Sequence, residues 1–162
     1  MAYLLDTNVF IQAKNLHYGF DFCPAFWEWI DAAVADGTVL SIDKVGDELT
    51  GGQDDLATWA HQRMGSLFVG ADPQTVASLQ SLSAWANGAA FDPAAVSTFL
   101  QVADYYLVAQ AHAHGHTVVT HEVIDNSKKR IKIPSACLAL NVRCVNPFQM
   151  LRAEQVRFVL GS

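Results

Sequence analysis

Short apolar runs alternate along the chain with longer segments in which apolar residues recur every three or four positions. The longer spacing predicts helices, and the short runs, rich in β-branched residues, predict strands. This alternation is typical of βαβ units, in which a parallel sheet carries helices on both faces. We therefore predict an α/β fold with strands at residues 3–5, 38–42, 67–69, 117–120 and 142–145.

Proline, glycine and small polar residues mark the helix boundaries. Pro24 suits the first position of a helix, and Gly115 is typical of the position just after one. Thr7 and Asn8 are candidate N-caps for the first helix, and Asp43 is a candidate cap for a later one. After the first helix, which begins near residue 9, and a loop at 17–22, we predict helices over 24–36, 43–50, 54–64, 73–85, 93–99, 102–113, 134–140 and 148–152, with Val76, Leu79, Leu82 and Ala86 sharing one face.

Composition narrows the class of protein. The chain has 162 residues, 51% of them hydrophobic, and a formal net charge of −6. This length favours a single domain over residues 1–162, and the hydrophobic content excludes a disordered chain. The acidic balance argues against a non-specific nucleic-acid coat, which would be basic. No stretch has the length of a membrane span or the pattern of a signal peptide, and the three cysteines lack C-x-x-C spacing, so we expect a soluble cytoplasmic protein with reduced thiols.

Four acidic residues are predicted to lie near the carboxyl edge of the sheet, where open α/β folds bind ligands. Asp6 directly follows the first strand, and Glu122 lies two residues beyond the strand 117–120. Asp104 begins the helix leading into that same strand and shares a face with apolar residues, so we expect it to point inward. Glu48 lies about two turns into its helix, and helical rise alone could carry it ~7–10 Å from the edge.

Three of these four acids also have an ordinary alternative role. Asp6 could cap a helix, Glu48 could be a solvated helix residue, and Glu122 could be a loop acid. Buried carboxylates that converge repel one another unless a cation lies between them, and hard oxygen ligands select Mg²⁺ or Mn²⁺. Such a site suits phosphodiester hydrolysis, because metal ions can activate water and stabilise the leaving oxygen.

A basic cluster follows the last of these acids. Four of the ten basic residues fall within five positions: Lys128, Lys129, Arg130 and Lys132. Two interpretations remain open at this stage. The cluster either contacts RNA phosphates or forms a solvated loop.

Four short motifs occur in order along the chain. They are Leu5-Asp6-Thr7-Asn8-Val9, Asp47-Glu48-Leu49, an aspartate leading an alanine-rich helix at residues 104–111, and Val119-Thr120-His121-Glu122. In this order and spacing they resemble the PIN-domain ribonucleases, the family that includes VapC-type toxins of bacterial toxin–antitoxin pairs. The resemblance extends from residue 3 to about residue 148. Glu122 is a departure, because the family usually carries an aspartate there.

The resemblance implies a three-layer α/β/α fold with a parallel sheet of about five strands. It also implies a Mg²⁺- or Mn²⁺-dependent endoribonuclease, an antitoxin that blocks its site, and a homodimer. The catalytic and metal-binding residues would be Asp6, Glu48, Asp104 and Glu122. Candidate substrate contacts are Thr7 and Asn8, beside the first acid, and Lys128, Lys129 and Arg130 in the basic cluster.

Two other functions fit the same residues less closely. A non-catalytic PIN-like module would keep the acids but bind RNA or a protein without cleavage. A phosphotransferase would use Asp6 as a nucleophile. The second reading is disfavoured, because Asn8 stands where haloacid-dehalogenase-type motifs carry an aspartate, and no glycine-rich nucleotide-binding motif is present.

Overall fold

Five parallel strands form one sheet in the computed structural model, which describes residues 1–161. The strand order is β3-β2-β1-β4-β5, and each neighbouring pair is parallel. The predicted parallel sheet is therefore confirmed. The strands are β1 (Tyr3–Leu5), β2 (Val39–Ile42), β3 (Phe68–Val69), β4 (Thr117–Val119) and β5 (Cys144–Val145).

Helices connect consecutive strands and cover both faces of the sheet, which makes the fold a three-layer α/β/α architecture. They match the predicted segments, with ends that differ by a few residues. Gly115 ends one of them with a left-handed φ of 68°, as its sequence position predicts. The helices are α1 (Thr7–Gln12), α2 (Pro24–Ala35), α3 (Asp43–Thr50), α4 (Asp55–His61), α5 (Pro73–Gly88), α6 (Pro93–Phe99), α7 (Ala103–His114), α8 (Ile133–Ala139) and α9 (Pro147–Ala153).

The core lies against the central strands. Leu4 and Leu5 of β1 are completely buried, as are Val118 and Val119 of β4. Helices on both faces explain why these strands read as continuous apolar runs rather than alternating ones. The inward face of α7 is equally closed to solvent, so its first turn is held firmly against the carboxyl edge of the sheet.

Two predicted helix caps are wrong. Helix α1 begins at Thr7, so its N-cap is Asp6, whose carboxylate accepts a hydrogen bond from the Thr7 amide, and neither Thr7 nor Asn8 serves as the cap. Asp43 is likewise the first residue of α3, and the cap position belongs to Ile42. In both places the strand passes into the helix with no intervening loop, which moves the cap one residue or more towards the strand.

The predicted apolar face of α5 is also wrong in part. Leu82 and Ala86 are completely buried, but Val76 is 50% exposed. Thr75 and Ser78 are buried instead. Their hydroxyls are satisfied by the Asp72 cap and by the His112 ring, and these hydrogen bonds allow polar side chains to face inward.

A π-helical segment, Ala13–His17, continues α1 and takes in the first residue of the predicted loop. The amide of Tyr18 donates to the carbonyl of Ala13, five residues earlier, at 2.7 Å, and this five-residue spacing is the hydrogen-bond pattern of a π-helix. The segment brings the ring of His17 to a stacked contact with His121, 5.6 Å between centroids, beside the end of β4.

None of the helices in residues 1–161 is sufficiently long and apolar to cross a lipid bilayer.

Candidate functional site

Asp6 is buried at the junction between β1 and α1. Only 4% of the residue is exposed. One carboxylate oxygen, Oδ1, accepts a hydrogen bond from the Thr7 amide at 2.7 Å, and Oδ2 accepts one from the Thr120 hydroxyl at 2.8 Å. The strand end and the helix start therefore hold this carboxylate in a single orientation.

The Thr120 hydroxyl connects three polar residues of the site. Besides donating to Asp6, its Oγ1 accepts from the Glu122 amide at 3.1 Å and from Nδ2 of Asn8 at 3.4 Å. The Asn8 side chain also accepts a hydrogen bond from the His121 amide at 3.2 Å. Asn8 thus ties the start of α1 to the segment after β4, and no direct role in substrate binding follows from these contacts.

Sequence reasoning did not select Thr120 as a functional residue. The available signal was its position in the fourth motif, where a threonine precedes an acid by two residues. A hydroxyl at a buried strand end, flanked by acids, has few other hydrogen-bonding partners. In the folded chain it is 1% exposed, and it orients Asp6.

Asp104 lies in the first turn of α7 and is half-buried. Its pKa is raised to about 6, mainly by burial and then by the negative charges of Glu122 and Glu48. Burial likewise raises the pKa of Asp6 to about 7, with the charge of Asp104 as the next cause. Asp6 and Asp104 therefore repel each other when both are ionised, as carboxylates converging on one site do.

Glu48 reaches this edge despite its position in α3. Its residue is exposed, and its Oε2 accepts a hydrogen bond from the Thr7 hydroxyl at 2.5 Å. The length of the side chain compensates for the helical rise that made its placement uncertain from sequence. Thr7 accordingly contacts two acids, Asp6 through its amide and Glu48 through its hydroxyl.

Glu122 is held between two partners. Its Oε1 accepts a hydrogen bond from the Ile133 amide at 3.4 Å, and its Oε2 lies 3.7 Å from Nη2 of Arg130. Ile133 is the first residue of α8, so this carboxylate also stabilises a helix N-terminus, which favours negative charge. The side chain is only 11% exposed. A structural role explains its position without any bound ligand.

The basic cluster divides into two groups. Lys129 and Arg130 line a cavity beside the acids. The ammonium of Lys128 lies instead 4.7 Å from the centre of the Phe91 ring and donates to the Ala89 carbonyl. Lys132 pairs with a carboxylate at 3.1 Å. Of the three predicted phosphate contacts, Lys128 is therefore turned away from the acids.

This cavity has a volume of about 490 Å³. Glu48 and Asp104 form part of its wall, so it is continuous with the acidic cluster. Helix α6 and residues 129–131 supply much of the remainder.

The donor set suits a hard divalent cation, because it consists of carboxylates that repel one another and have few basic partners. Within residues 1–161, however, no three His, Cys, Asp or Glu side chains are already grouped in a way that could hold a metal ion. Glu48 and Glu122 are engaged with Thr7, Ile133 and Arg130, which accounts for the separation. Asp6 and Asp104 are the residues whose chemistry fits a cation best.

Solved structures share this fold. VapBC2 from Rickettsia felis, solved bound to a DNA fragment from its promoter, has 14% identity and a TM-score of 0.56, with 90% of this chain and 98% of that chain covered. FitAcB from Neisseria gonorrhoeae has 21% identity and a TM-score of 0.54, with the same coverage of both chains. FitAB bound to an IR36 DNA fragment has 20% identity and a TM-score of 0.53, with 90% and 95% covered. The chain therefore has a PIN-like fold, as its motifs predict.

The chain belongs to a family described as a domain of unknown function, DUF4411, which matches residues 3–158. No curated protein matches the chain. The family description assigns no activity.

Proposed function

We propose that this protein is a metal-dependent endoribonuclease, acting on RNA phosphodiester bonds as the toxin of a toxin–antitoxin pair. The observation that carries the proposal is the pair Asp6 and Asp104 at the carboxyl edge, with pKa values raised to about 7 and about 6. Carboxylates in so unfavourable an environment cluster at functional sites.

In this proposal Asp6 and Asp104 hold Mg²⁺ or Mn²⁺, and Glu48 and Glu122 complete the set of carboxylates. The bound ion would supply acidity to a coordinated water and stabilise charge on the phosphate. The protein's own contribution is orientation. The Thr120 hydroxyl fixes the carboxylate of Asp6, and the Thr7 hydroxyl holds Glu48 towards the same edge.

Substrate contacts follow from the charges around the acids. Lys129 and Arg130 line the cavity that continues from the carboxylates, which supports the proposal that they neutralise RNA phosphates. Thr7 and Asn8 act mainly by orienting their neighbours, and Lys128 is not assigned a phosphate contact.

The biological setting rests on the fold and on the motifs. The structures with this fold are complexes named VapBC2, FitAcB and FitAB, two of them solved with DNA. By analogy we propose that this chain acts in the cytoplasm, forms a homodimer, and is held inactive by an antitoxin. Analogy of fold is weaker support than the acidic site, because one fold hosts many functions.

The test is cleavage of a mixed RNA pool by the purified protein, in parallel with Mg²⁺, Mn²⁺ and EDTA. The variants Asp6→Asn and Asp104→Asn remove the charge of each acid at nearly constant shape. We expect cleavage that needs a divalent ion and falls at least ~100-fold in either variant, as removal of key electrostatic groups does. Asp36→Asn is the matched control, since this exposed acid ends α2 before β2 begins, at the opposite edge of the sheet.

Two results would contradict the proposal. Cleavage that survives in both variants would assign the activity to another site or to a contaminant. Absence of cleavage with either ion, together with RNA binding, would support the non-catalytic module instead.

A further inference from the structure

The cavity beside the acids combines features that the proposed cleavage chemistry does not need. Two of its residues, Lys129 and Arg130, are cationic. The rest of its wall, apart from the acids Glu48 and Asp104, is mostly apolar and comes from α6, the residue before α7, and the segment before α8: Ala94, Ala95, Thr98, Phe99, Val102 and Ile131. Metal-assisted hydrolysis requires the carboxylates but not an apolar recess of this size.

The volume, about 490 Å³, lies within the range of about 300–1,000 Å³ typical of small-ligand pockets. Ala94 and Ala95 have small side chains, so α6 leaves the recess open rather than filling it. Phe99 and Ile131 are 2% and 3% exposed and belong to the hydrophobic core, so the recess has an apolar base.

The cations of the cavity have capacity for an anion. Arg130 has a 65% exposed side chain, and its one acidic contact, with Glu122, spans 3.7 Å. No carboxylate of residues 1–161 lies within 4.0 Å of the Lys129 ammonium. A ligand that carries both a flat apolar group and a phosphate would satisfy the apolar wall and these cations together.

We propose that this cavity is a nucleobase subsite, which receives one unstacked base of the RNA while Lys129 and Arg130 bind an adjoining phosphate. The inference rests on the proposed ribonuclease function and deepens it by naming how the substrate is selected. Proteins that read single-stranded RNA place splayed bases against apolar and aromatic walls and contact their edges with polar groups. The Thr98 hydroxyl is the neutral polar side chain available here for such an edge contact.

A side chain of a partner protein is the main alternative occupant. The acids would attract a lysine or arginine, but Lys129 and Arg130 line the same cavity and would repel it. A nucleotide has the opposite arrangement, with its anionic part free to meet the cations. The two acids would repel a phosphate in turn, but Glu48 is engaged with the Thr7 hydroxyl and Asp104 is half-buried. The side chain of Arg130 is 65% exposed, so the charge most accessible to a ligand favours RNA over a cationic peptide.

The experiment measures equilibrium binding by calorimetry in EDTA, which removes any dependence on metal. The probes are the four ribonucleoside 5′-monophosphates and ribose 5-phosphate, which carries the phosphate but no base. Thr98→Trp places a large ring in the cavity, and Ser97→Trp is the matched control, because Ser97 is also an exposed residue of α6 but does not line the cavity. Thermal unfolding of both variants verifies that they fold.

We expect at least one nucleotide to bind about tenfold more tightly than ribose 5-phosphate, the scale of one base–wall stacking contact. Thr98→Trp should weaken that nucleotide about tenfold, and Ser97→Trp should change it less than twofold. Equal binding of ribose 5-phosphate, equal effects of the two tryptophans, or no nucleotide binding at millimolar concentration would each overturn the subsite. The subsite would also be overturned if the protein bound N-acetyl-arginine amide instead of nucleotides and the Thr98→Trp variant lost that binding.

The outcomes separate this inference from the proposed function. A protein that cleaves RNA with metal, yet binds nucleotides no better than ribose 5-phosphate, remains a ribonuclease without this subsite. A protein that shows base-dependent binding but no cleavage retains the subsite and loses the proposed activity.

Discussion

Replacing Asp6 with asparagine removes the charge of this side chain while nearly preserving its shape. Folding raises the pKa of Asp6 from its ordinary 3.8 to about 7, because the side chain is buried near Asp104. The folded state therefore keeps this proton up to about pH 7, while the unfolded chain releases it near pH 4. It follows that the free energy of unfolding of the metal-free protein falls as the pH rises between these values.

The magnitude follows from the width of this interval. About three pH units, at ~1.4 kcal/mol each, correspond to about 4 kcal/mol of lost stability above pH 7. Asparagine avoids this cost, but its amide would donate to Thr120, whose hydroxyl hydrogen then loses its acceptor. An unsatisfied buried donor costs roughly 1–3 kcal/mol at any pH. We therefore expect Asp6→Asn to be more stable than the wild type at about pH 8.5.

The change with pH in the stability difference between variant and wild type isolates the effect of the charge, because the hydrogen-bond cost is the same at both pH values. From about pH 5.5 up to the folded pKa of about 7, the wild type alone loses stability, by about 2 kcal/mol at Asp6. The advantage of Asp6→Asn should shrink by that amount when the pH is lowered from about 8.5 to about 5.5. Urea denaturation in EDTA at the two pH values measures it.

The refuting result is an Asp6→Asn variant whose stability relative to wild type is the same at both pH values. That outcome would mean that folding does not disfavour the charged form of the Asp6 carboxylate. It would remove the electrostatic argument for a cation at this edge. Asp36→Asn, at an exposed residue on the opposite edge of the sheet, is the matched control.

Three further changes test separate parts of the structure. Thr120→Val removes the hydrogen bond that lowers the pKa of the Asp6 carboxylate, so the acid limb of the pH–rate profile should move upward by about one pH unit. Thr120→Ser is the control, and an unmoved acid limb in Thr120→Val would contradict the role of this hydroxyl. Lys129→Ala should reduce the slope of log K for RNA binding against log salt concentration by ~0.7, as measured by fluorescence anisotropy. Lys132→Ala is the control, because Lys132 is already paired with a carboxylate, and its slope should stay that of the wild type. Equal slopes for the two variants would refute the phosphate contact of Lys129. Gly46→Ala should lower the free energy of unfolding in urea by ~1–3 kcal/mol, because the added Cβ would lie 2.5 Å from the sulfur of Met64. Gly88→Ala is the control and should be neutral, because the space around Gly88 is open. Similar effects of the two substitutions would refute the packing argument.

The fold was largely predictable because its signals are periodic or local. Apolar runs and helical spacing locate the buried strands and α7, and these in turn place Asp6 and Asp104 at one edge. The parallel sheet and the three layers follow from the βαβ pattern together with the PIN resemblance, whereas the strand order was not predicted. The exposed position of Val76 was not predictable, since it depends on hydrogen bonds that bury Thr75 and Ser78 instead.

The finer arrangement of the candidate site depends on distances that sequence order does not encode. The hydroxyl of Thr120 joins residues more than 100 positions apart, which no local pattern reveals. The division of the basic cluster arises in an irregular loop, where neither helical nor strand spacing tells which way a lysine points. The reach of Glu48 to Thr7 likewise depends on the extended length of its side chain.

Asp6 serves two requirements with one side chain, and this limits how the position can change. Its Oδ1 caps α1, and its Oδ2 accepts a hydrogen bond from the Thr120 hydroxyl, so both the shape and the charge of the side chain are needed. Asparagine or serine would preserve an acceptor for the helix but abolish the charge. Glutamate would preserve the charge but carry it one methylene too far to cap. Aspartate alone meets both demands, so a mutational path that changes the chemistry of this site through Asp6 must also rebuild the start of the first helix.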